Sequence, residues 1–143
     1  MEEKNGRHDR QEVSLLLIED DRGIAGLYRQ RLQLEGFTVT LATNGESGLA
    51  AAVERVPDVI VLDVRLPGLS GMEVLERVRK DRRTRQVPVM VLTNWEDGEA
   101  RTRAMKLGAR DFLVKSAVRP GELADRIRDW LASEDAQRVE ARR

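Results

Sequence analysis

Three adjacent carboxylates, those of Glu19, Asp20 and Asp21, follow directly on the apolar run VSLLLI at residues 13–18. Like charges held together repel one another, and burying them costs free energy unless a positive charge compensates for them. These acids therefore either face water as ordinary polar residues or hold a cation. Which of the two applies depends on the side chains that the fold brings to them.

Polar side chains also stand at the ends of three later apolar runs: Asp63 ends DVIVLD, Thr93 ends VPVMVLT and Lys115 ends DFLVK. Converging carboxylates suit a hard divalent cation such as Mg²⁺, which retains waters or phosphate oxygens in its remaining positions. A carboxylate beside that cation can attack phosphorus, while a lysine and a hydroxyl contact the other phosphoryl oxygens. If the runs are strands that end at one edge, these residues indicate phosphoryl transfer.

Five short apolar runs alternate with amphipathic stretches along the chain. The runs, each about as long as a strand, cover residues 13–18, 37–42, 58–63, 87–93 and 111–115. Their nearly continuous apolarity is typical of strands that are covered on both faces, as in a parallel sheet. Five such units predict a doubly wound α/β domain, in which ligands bind at the carboxyl ends of the strands.

The stretches between the runs have the apolar spacing of helices. Their predicted apolar faces are Ile24, Leu27, Tyr28, Leu32 and Leu34 in the first helix; Leu49, Ala52, Val53 and Val56 in the second; Met72, Val74, Leu75 and Val78 in the third; Ala100, Ala104, Met105 and Leu107 in the weakly amphipathic fourth; and Leu123, Ile127, Trp130 and Leu131 in the fifth. Ser70 and Glu73 predict a capping box at the start of the third helix. The fourth helix is predicted from about Glu96 to Leu107, and the fifth begins near Pro120.

The composition fits one globular domain: 143 residues, of which 41% are hydrophobic and 35% charged. A net charge of +0 gives no reason to expect nucleic acid or anionic membranes as partners. The absence of cysteine excludes disulfides, thiolate zinc sites and thiol catalysis. Because no apolar run reaches the ~20 residues of a membrane span and the first residues lack a signal-peptide core, the expected location is the cytoplasm.

Four motifs together resemble the receiver domains of two-component response regulators, the chemotaxis-regulator-like family. They are LLLIEDD, DVIVLDVRLPGLSGMEVL, VPVMVLT and GARDFLVK, in the order and approximate spacing of that family. The resemblance covers residues 13–132; residues 1–12 are expected to form a disordered polar arm, and residues 133–143 a charged helical extension or a linker. It implies a flavodoxin-like fold with five helices and a five-stranded parallel sheet in the order 2-1-3-4-5.

By this resemblance, Asp63 is the aspartate that accepts a phosphoryl group. Glu19 and Asp20, together with Asp63 and the backbone carbonyl of Arg65, are the implied ligands of Mg²⁺, for which Mn²⁺ can substitute. The phosphoryl donor is a phosphohistidine on a sensor histidine kinase or a histidine phosphotransfer protein. The implied function is that of a signalling switch, which catalyses only its own phosphorylation and dephosphorylation.

The resemblance also assigns roles around the phosphoryl group. The Thr93 hydroxyl and the Lys115 ammonium contact it, and Phe112 matches the aromatic residue whose rotamer follows the threonine. Asp21 is left to cap the first helix. Phosphorylation is then expected to change the conformation of the face formed by helix 4, strand 5 and helix 5. An unknown output partner binds this face, and the domain itself contacts neither nucleic acid nor membrane.

Several positions depart from the usual pattern of the family. Ser116 follows Lys115 where the family has proline, so a trans peptide is expected, because a cis bond without proline costs about 2.5–4 kcal/mol. Arg65, Asn94 and Trp95 overhang the site according to the resemblance. Their bulk predicts slow to intermediate autodephosphorylation and restricted access for small phosphoryl donors.

Two basic features complete the pattern. Arg110 stands where dimerising transcription factors of the family often carry an acid, which weakens the case for that dimer. The basic run RVRKDRRTR at residues 77–85 is interpreted as a solvated helix end and turn in preference to a nucleic-acid site, since no aromatic residues are interleaved with it.

Other function classes explain parts of the pattern. A pseudo-receiver, which is an interaction module that never takes phosphate, needs no complete acceptor site, whereas all of its residue types are present here. A hydrolase of the haloacid dehalogenase type also uses aspartate and Mg²⁺, but it needs a cap domain and a second acid at the position of Arg65. A flavin-binding protein needs glycines and hydroxyls in the first loop, where this chain has acids. Taken singly, Thr93 could instead be a helix N-cap, and Phe112 a core residue.

Overall fold

The computed structural model describes the backbone of residues 12–142 and the side chains of residues 12–134, so the predicted polar arm lies outside the described residues except for residue 12. Five strands alternate with five helices in this part of the chain. The strands are β1 Ser14–Ile18, β2 Thr38–Ala42, β3 Val59–Asp63, β4 Val89–Thr93 and β5 Asp111–Val114. The helices are α1 Arg22–Leu34, α2 Gly45–Glu54, α3 Gly71–Lys80, α4 Gly98–Lys106 and α5 Pro120–Arg142.

The strands form one sheet in the order β2-β1-β3-β4-β5, and all four strand pairs are parallel. The predicted order is therefore confirmed. The direction of winding reverses between β1 and β3, which pair at the centre of the sheet with Ile18 opposite Leu62. The residues that follow these two, Glu19 and Asp63, thus stand side by side at the carboxyl edge, where the fold places ligands.

Helices cover both faces of the sheet, which explains why its central strands are almost continuously apolar, whereas the edge strand β2 exposes Thr38 and Thr40. On one face, Ile18 and Leu62 belong to a core that also contains residues of α2, α3 and α4. On the other face, Leu17 and Val61 belong to a core shared with α1 and α5. All five residues of β3 and of β4 are buried. Asp63 and Thr93 end these two strands, so the packed core fixes the backbone from which both side chains extend.

Local signals set the helix ends. The Asp21 carboxylate accepts a hydrogen bond from the backbone N–H of Ile24 at 3.0 Å, and α1 begins at the residue after Asp21. Ser70 and Glu73 form the predicted capping box of α3. Gly108 follows α4 with a φ of 86°, a left-handed conformation that favours glycine. Asp21 therefore has the capping role expected of it.

The predicted apolar faces are wrong at four residues, which are exposed instead: Leu27, Leu34, Val56 and Met105. In α1 the buried residues are Ala25, Tyr28 and Leu32, at spacings of three and four. Leu27 and Leu34 lie on a neighbouring stripe of α1, where they line a surface cavity of about 840 Å³ beside the start of α5. Val56 lies beyond the end of α2.

The helices α4 and α5 also differ in detail from prediction. The α4 helix begins at Gly98 rather than near Glu96, because the Asp97 carboxylate caps it. Trp130 and Leu131 are only half-buried, although Leu131 still packs against the core. The α5 helix continues through residues 133–142.

The basic run at residues 77–85 is not solvated throughout. Arg79 is half-buried, and its guanidinium donates hydrogen bonds of 2.6 to 3.2 Å to the backbone carbonyls of Arg85, Val87, Leu107 and Gly108. The interpretation of the run as a solvated helix end is therefore wrong for Arg79, which joins α3 to the end of α4 and to the start of β4.

A 3₁₀ turn, Lys115–Ala117, connects β5 to α5. The peptide between Lys115 and Ser116 is trans, as expected, since residues 12–142 contain no cis peptide. None of the described helices is both long enough and apolar enough to cross a membrane.

Candidate functional site

Three acidic side chains meet at the carboxyl edge of the sheet. Glu19 follows β1, Asp20 comes next along the chain, and Asp63 ends the neighbouring strand β3. One carboxylate oxygen of each lies within 4.8 Å of the other two. Glu19 is 2% exposed and Asp63 is 4% exposed, whereas Asp20 faces water. The acids that the sequence places at two strand ends therefore form one cluster.

The Lys115 ammonium compensates part of this charge. Its Nζ lies 2.6 Å from Oε1 of Glu19 and 3.2 Å from Oδ2 of Asp63, and its side chain is only 10% exposed. Lys115 reaches the acids from the end of β5, two strands away from β3 in the sheet. A buried ammonium between two buried carboxylates satisfies the requirement that buried charges be paired.

The pKa values of the cluster follow from this placement. Burial raises the pKa of the Glu19 carboxyl, although hydrogen bonds from Lys115 and from the backbone N–H of Asp21 act in the opposite direction. For Lys115, burial alone would lower the pKa, but the hydrogen bond to Glu19 and the charge of Asp63 raise it overall. Three carboxylates face one ammonium, so the cluster retains an excess of negative charge that a divalent cation can neutralise.

The loop after β3 is packed tightly against the site. The backbone N–H of Arg65 donates a hydrogen bond to Oδ1 of Asp63 at 3.2 Å, and that of Gly71 donates to the carbonyl of Val64 at 2.9 Å. A Cβ atom at Gly71 would lie only 2.2 Å from the backbone oxygen of Asp63. Glycine is therefore required at position 71 so that α3 can approach the acceptor strand.

Thr93 is buried at the end of β4, opposite Val114 of β5. It does not cap α4, because Asp97 accepts the hydrogen bonds from the first-turn N–H groups of that helix. Its hydroxyl thus stands at the same edge as the acids, between the strands that end in Asp63 and Lys115. The alternative interpretation of Thr93 as a helix N-cap is wrong.

Phe112 is buried in β5, at 1% exposure, on the face of the sheet that α4 covers. The guanidinium of Arg101, from α4, lies over its ring at 4.9 Å from the centroid. Arg101 also forms an ion pair with Glu96 at 2.8 Å. Phe112 is thus a core residue in this arrangement, and Arg101 of α4 covers one face of its ring.

Two features of the site were missed at the level of sequence. The guanidinium of Arg65 stacks on the ring of Trp95 at 3.8 Å from its centroid, so the loops after β3 and β4 are in contact. Tyr28 was assigned only to the core; burial raises the pKa of its hydroxyl, while the charge of Lys115 lowers it and that of Glu19 raises it. Helical spacing alone locates Tyr28 in the core and gives no information about its polar end.

Comparison with known proteins identifies the family. A model of the response regulator receiver domain matches residues 15–128. This chain belongs to that family. The resemblance found in the sequence motifs is therefore confirmed, and the domain is a signalling switch of two-component systems rather than a classical enzyme.

Its relatives include longer regulators. The uncharacterized transcriptional regulatory protein YkoG of Bacillus subtilis is 41% identical over 101 residues, which are 71% of this chain and 43% of that protein. The phosphate regulon transcriptional regulatory protein PhoB of Rhizobium meliloti is 34% identical over 117 residues, 82% of this chain and 51% of that protein. The chain spans about half the length of the curated relatives it matches.

Solved receiver domains have the same fold over nearly their whole length. The CheY-like receiver domain protein of Methanospirillum hungatei is 26% identical with a TM-score of 0.81, over 87% of this chain and 98% of that one. The receiver domain of the sensor histidine kinase PA1611 of Pseudomonas aeruginosa is 27% identical with a TM-score of 0.77, over 85% and 98%. That structure has a magnesium ion coordinated in its active-site cleft.

Proposed function

We propose that Asp63 accepts a phosphoryl group from a phosphohistidine of a partner, either a sensor histidine kinase or a histidine phosphotransfer protein. The observation that carries this proposal is the Lys115 ammonium, which contacts both buried carboxylates, Glu19 and Asp63. A carboxylate oxygen of Asp63 forms the new O–P bond while the N–P bond of the donor breaks. The bonding electron pair goes to the imidazole, which then takes up a proton from water.

Glu19, Asp20, Asp63 and the backbone carbonyl of Arg65 would hold Mg²⁺, with Mn²⁺ as a substitute. The donor set fits, because three carboxylates meet within 4.8 Å and Lys115 pairs with two of them, Glu19 and Asp63. Oxygen ligands with excess negative charge suit a hard divalent cation. When bound, the ion neutralises charge on the phosphoryl oxygens during transfer.

Lys115 and Thr93 would hold the phosphoryl group after transfer. The ammonium already lies 3.2 Å from Oδ2 of Asp63, so a small shift away from Glu19 lets it pair with a phosphoryl oxygen. The Thr93 hydroxyl, at the end of the adjacent strand β4, donates to another of these oxygens. Both groups are fixed by buried strands, so little reorganisation is needed when the negative charge arrives.

The signal would leave through the face formed by α4, β5 and α5. As Thr93 moves toward the phosphoryl group, the Phe112 ring follows and the face shifts between two arrangements. Phosphorylation changes their populations only as far as it stabilises one more than the other. An output partner, rather than nucleic acid or membrane, binds this face, and the switch operates in the cytoplasm.

Tryptophan fluorescence tests this proposal directly. Trp95 lies two residues after Thr93 and contacts Arg65, so its emission reports on the site. In a Trp130→Phe background, Mg²⁺ and then beryllofluoride, a phosphoryl mimic, are titrated while the emission is followed. We expect a change at each step in the wild-type site and loss of the beryllofluoride response in Asp63→Asn. A wild-type site that responds to neither would instead support the phosphorylation-independent module.

The stack of Arg65 on Trp95 also supports slow to intermediate autodephosphorylation. Both side chains belong to the loops that follow Asp63 and Thr93, and their contact ties these loops together beside the acceptor. Together with Asn94, they would restrict the approach of the water that hydrolyses the acyl phosphate, and of small phosphoryl donors. Decay of the phosphorylated protein should accelerate several-fold in Arg65→Ala and Trp95→Ala. Unchanged decay in both variants would contradict this role.

A further inference from the structure

The last helix continues beyond the residues that the family model matches. The family model ends at residue 128, whereas α5 runs from Pro120 to Arg142. At 1.5 Å per residue, its 23 residues span about 34 Å. Residues 129–142, the part of α5 that lies beyond this match, are here called the arm.

Arg110 fastens the beginning of the arm to the domain. It lies in the turn between α4 and β5, and its guanidinium is 4.7 Å from the centroid of the Trp130 ring. Its Nη2 also lies 2.5 Å from Oε2 of Glu134. Trp130 and Glu134 are four residues apart and so lie on the same side of the helix. One arginine thus engages two successive turns of the arm, through a cation–π contact and an ion pair.

A second arginine holds α5 on its opposite side. Arg128 donates to the backbone carbonyl of Glu35 and pairs with Oε1 of that residue at 3.0 Å. Its guanidinium also lies 5.3 Å from the centroid of the Phe37 ring. These two partners belong to the connection between α1 and β2, which is not part of the face of α4, β5 and α5.

The two attachments therefore differ in what they can transmit. Arg128 ties α5 to elements outside the proposed switch face, whereas Arg110 ties the arm to the turn between two elements of that face. A movement of α4 relative to β5 would displace Arg110 and leave Arg128 in place. A helix held on one side and displaced on the other changes its angle or its local stability.

We propose that the arm is the output element of this domain, that Arg110 attaches it, and that the attachment changes when Asp63 is phosphorylated. The attachment is inferred from the contacts of Arg110 with Trp130 and Glu134, next to Leu131, which packs against the core, whereas its response to Asp63 rests on the function proposed above.

Amide hydrogen exchange of the full chain, measured by mass spectrometry on a peptide from the arm, tests the attachment. Arg110→Ala should accelerate exchange there about three- to tenfold, as expected for loss of one cation–π contact and one surface ion pair. Glu134→Gln, which removes only the ion pair, should give a smaller acceleration. Arg83→Ala is the matched control, since Arg83 pairs with Asp81 at the surface and contacts no residue of α5 among the described contacts. Equal exchange in Arg110→Ala and the wild type would overturn the attachment.

The response to Asp63 is tested by adding Mg²⁺ and beryllofluoride. Exchange in the arm of the wild type should change at least twofold, and this change should disappear in Arg110→Ala. If Trp95 fluorescence responds but exchange in the arm does not, the coupling is wrong and the proposed function stands. If Trp95 does not respond either, both the coupling and the proposed function fail, and the attachment is judged by Arg110→Ala alone.

Discussion

The two ends of the parallel sheet carry acidic residues in opposite electrostatic situations. At the carboxyl end, Glu19 is buried beside Asp63, and burial raises its pKa. At the other end, acids that follow helices are half-buried and paired with exposed arginines. Hydrogen bonds from Arg83 lower the pKa of Asp81 to about 2, and those from Arg128 lower the pKa of Glu35.

This difference shows how one residue type serves two purposes. These surface pairs cost little desolvation and contribute little stability, because water screens their exposed arginines. The buried cluster is held together by the core, and its excess negative charge is a cost that a bound cation would relieve. The carboxyl end can therefore respond to a ligand, whereas the opposite end mainly fixes the ends of helices.

Adding a methyl group at the carboxyl end should have the largest effect. In Gly71→Ala the new Cβ would meet the backbone oxygen of Asp63 at 2.2 Å and the Cα of Val64 at 2.7 Å, so backbone must move. We expect a loss of about 1–3 kcal/mol in the free energy of unfolding, measured with urea. Gly26→Ala in α1 is the control, since no heavy atom lies within 4 Å of its Cβ, and a gain of about 0.5–1 kcal/mol is expected. Equal stabilities of the two variants would show that the carboxyl end is not tightly packed.

Mg²⁺ should raise the melting temperature, because it relieves the repulsion among the three acids. At about 100 times its dissociation constant, a ligand that binds only the folded state adds about 2.7 kcal/mol. Asp20→Asn should remove most of this gain, whereas Asp129→Asn, which changes an exposed aspartate of α5, should retain it. A melting temperature independent of Mg²⁺ would mean that the cluster of Glu19, Asp20 and Asp63 does not bind this cation.

The raised pKa of Glu19 predicts a pH dependence in the absence of divalent cations. The folded protein binds this proton more tightly than the unfolded chain, whose glutamate has a pKa of about 4.5. As the pH falls from 7 through the folded pKa toward 4.5, the wild type should therefore gain stability relative to Glu19→Gln. Urea unfolding of both proteins in EDTA at several pH values measures the difference. A difference that is constant with pH, or that shrinks as the pH falls, would contradict the burial of an ionised Glu19.

The smallest effect is expected at the opposite end. Arg83→Ala removes the exposed pair with Asp81 and should leave the melting temperature at pH 7 nearly unchanged. Because the pKa of Asp81 is lowered to about 2, its contribution is present above the unfolded pKa of 3.8 and is lost as the pH falls toward 2. Thermal melts of variant and wild type should therefore converge at low pH. A large decrease in the melting temperature of Arg83→Ala at pH 7 would show that the surface pair contributes as much stability as buried groups do, which would contradict the difference between the two ends of the sheet.

The sequence was sufficient for the order of elements and for the position of the acidic cluster. Apolar strand runs can be recognised from short segments, and the carboxyl ends of parallel strands lie at one edge of the sheet. The sequence alone therefore predicts that Glu19 and Asp63 lie close together. Helical faces were predicted less well. Leu27 and Leu34 fit an apolar pattern, but which stripe of α1 faces the sheet depends on the packing of α1 between the sheet and α5.

Interactions of arginine were the least predictable. Arg79 lies in a run that reads as solvated, yet it donates to carbonyls up to 29 residues away along the chain. The long side chains of Arg65 and Arg110 likewise reach partners on other loops and helices. Such contacts depend on the distances between secondary-structure elements. No short segment of the sequence indicates those distances.

The sequence by itself determined the α/β fold, the strand ends at which chemistry is possible and the types of residue placed there, because strand and helix periodicities and end signals are properties of short segments. Only the tertiary structure decided that Lys115 pairs with Glu19 as well as Asp63, that Arg65 stacks on Trp95, and that Arg110 holds the arm. These contacts join residues from separate elements, and they form only after the core has fixed the distances between those elements.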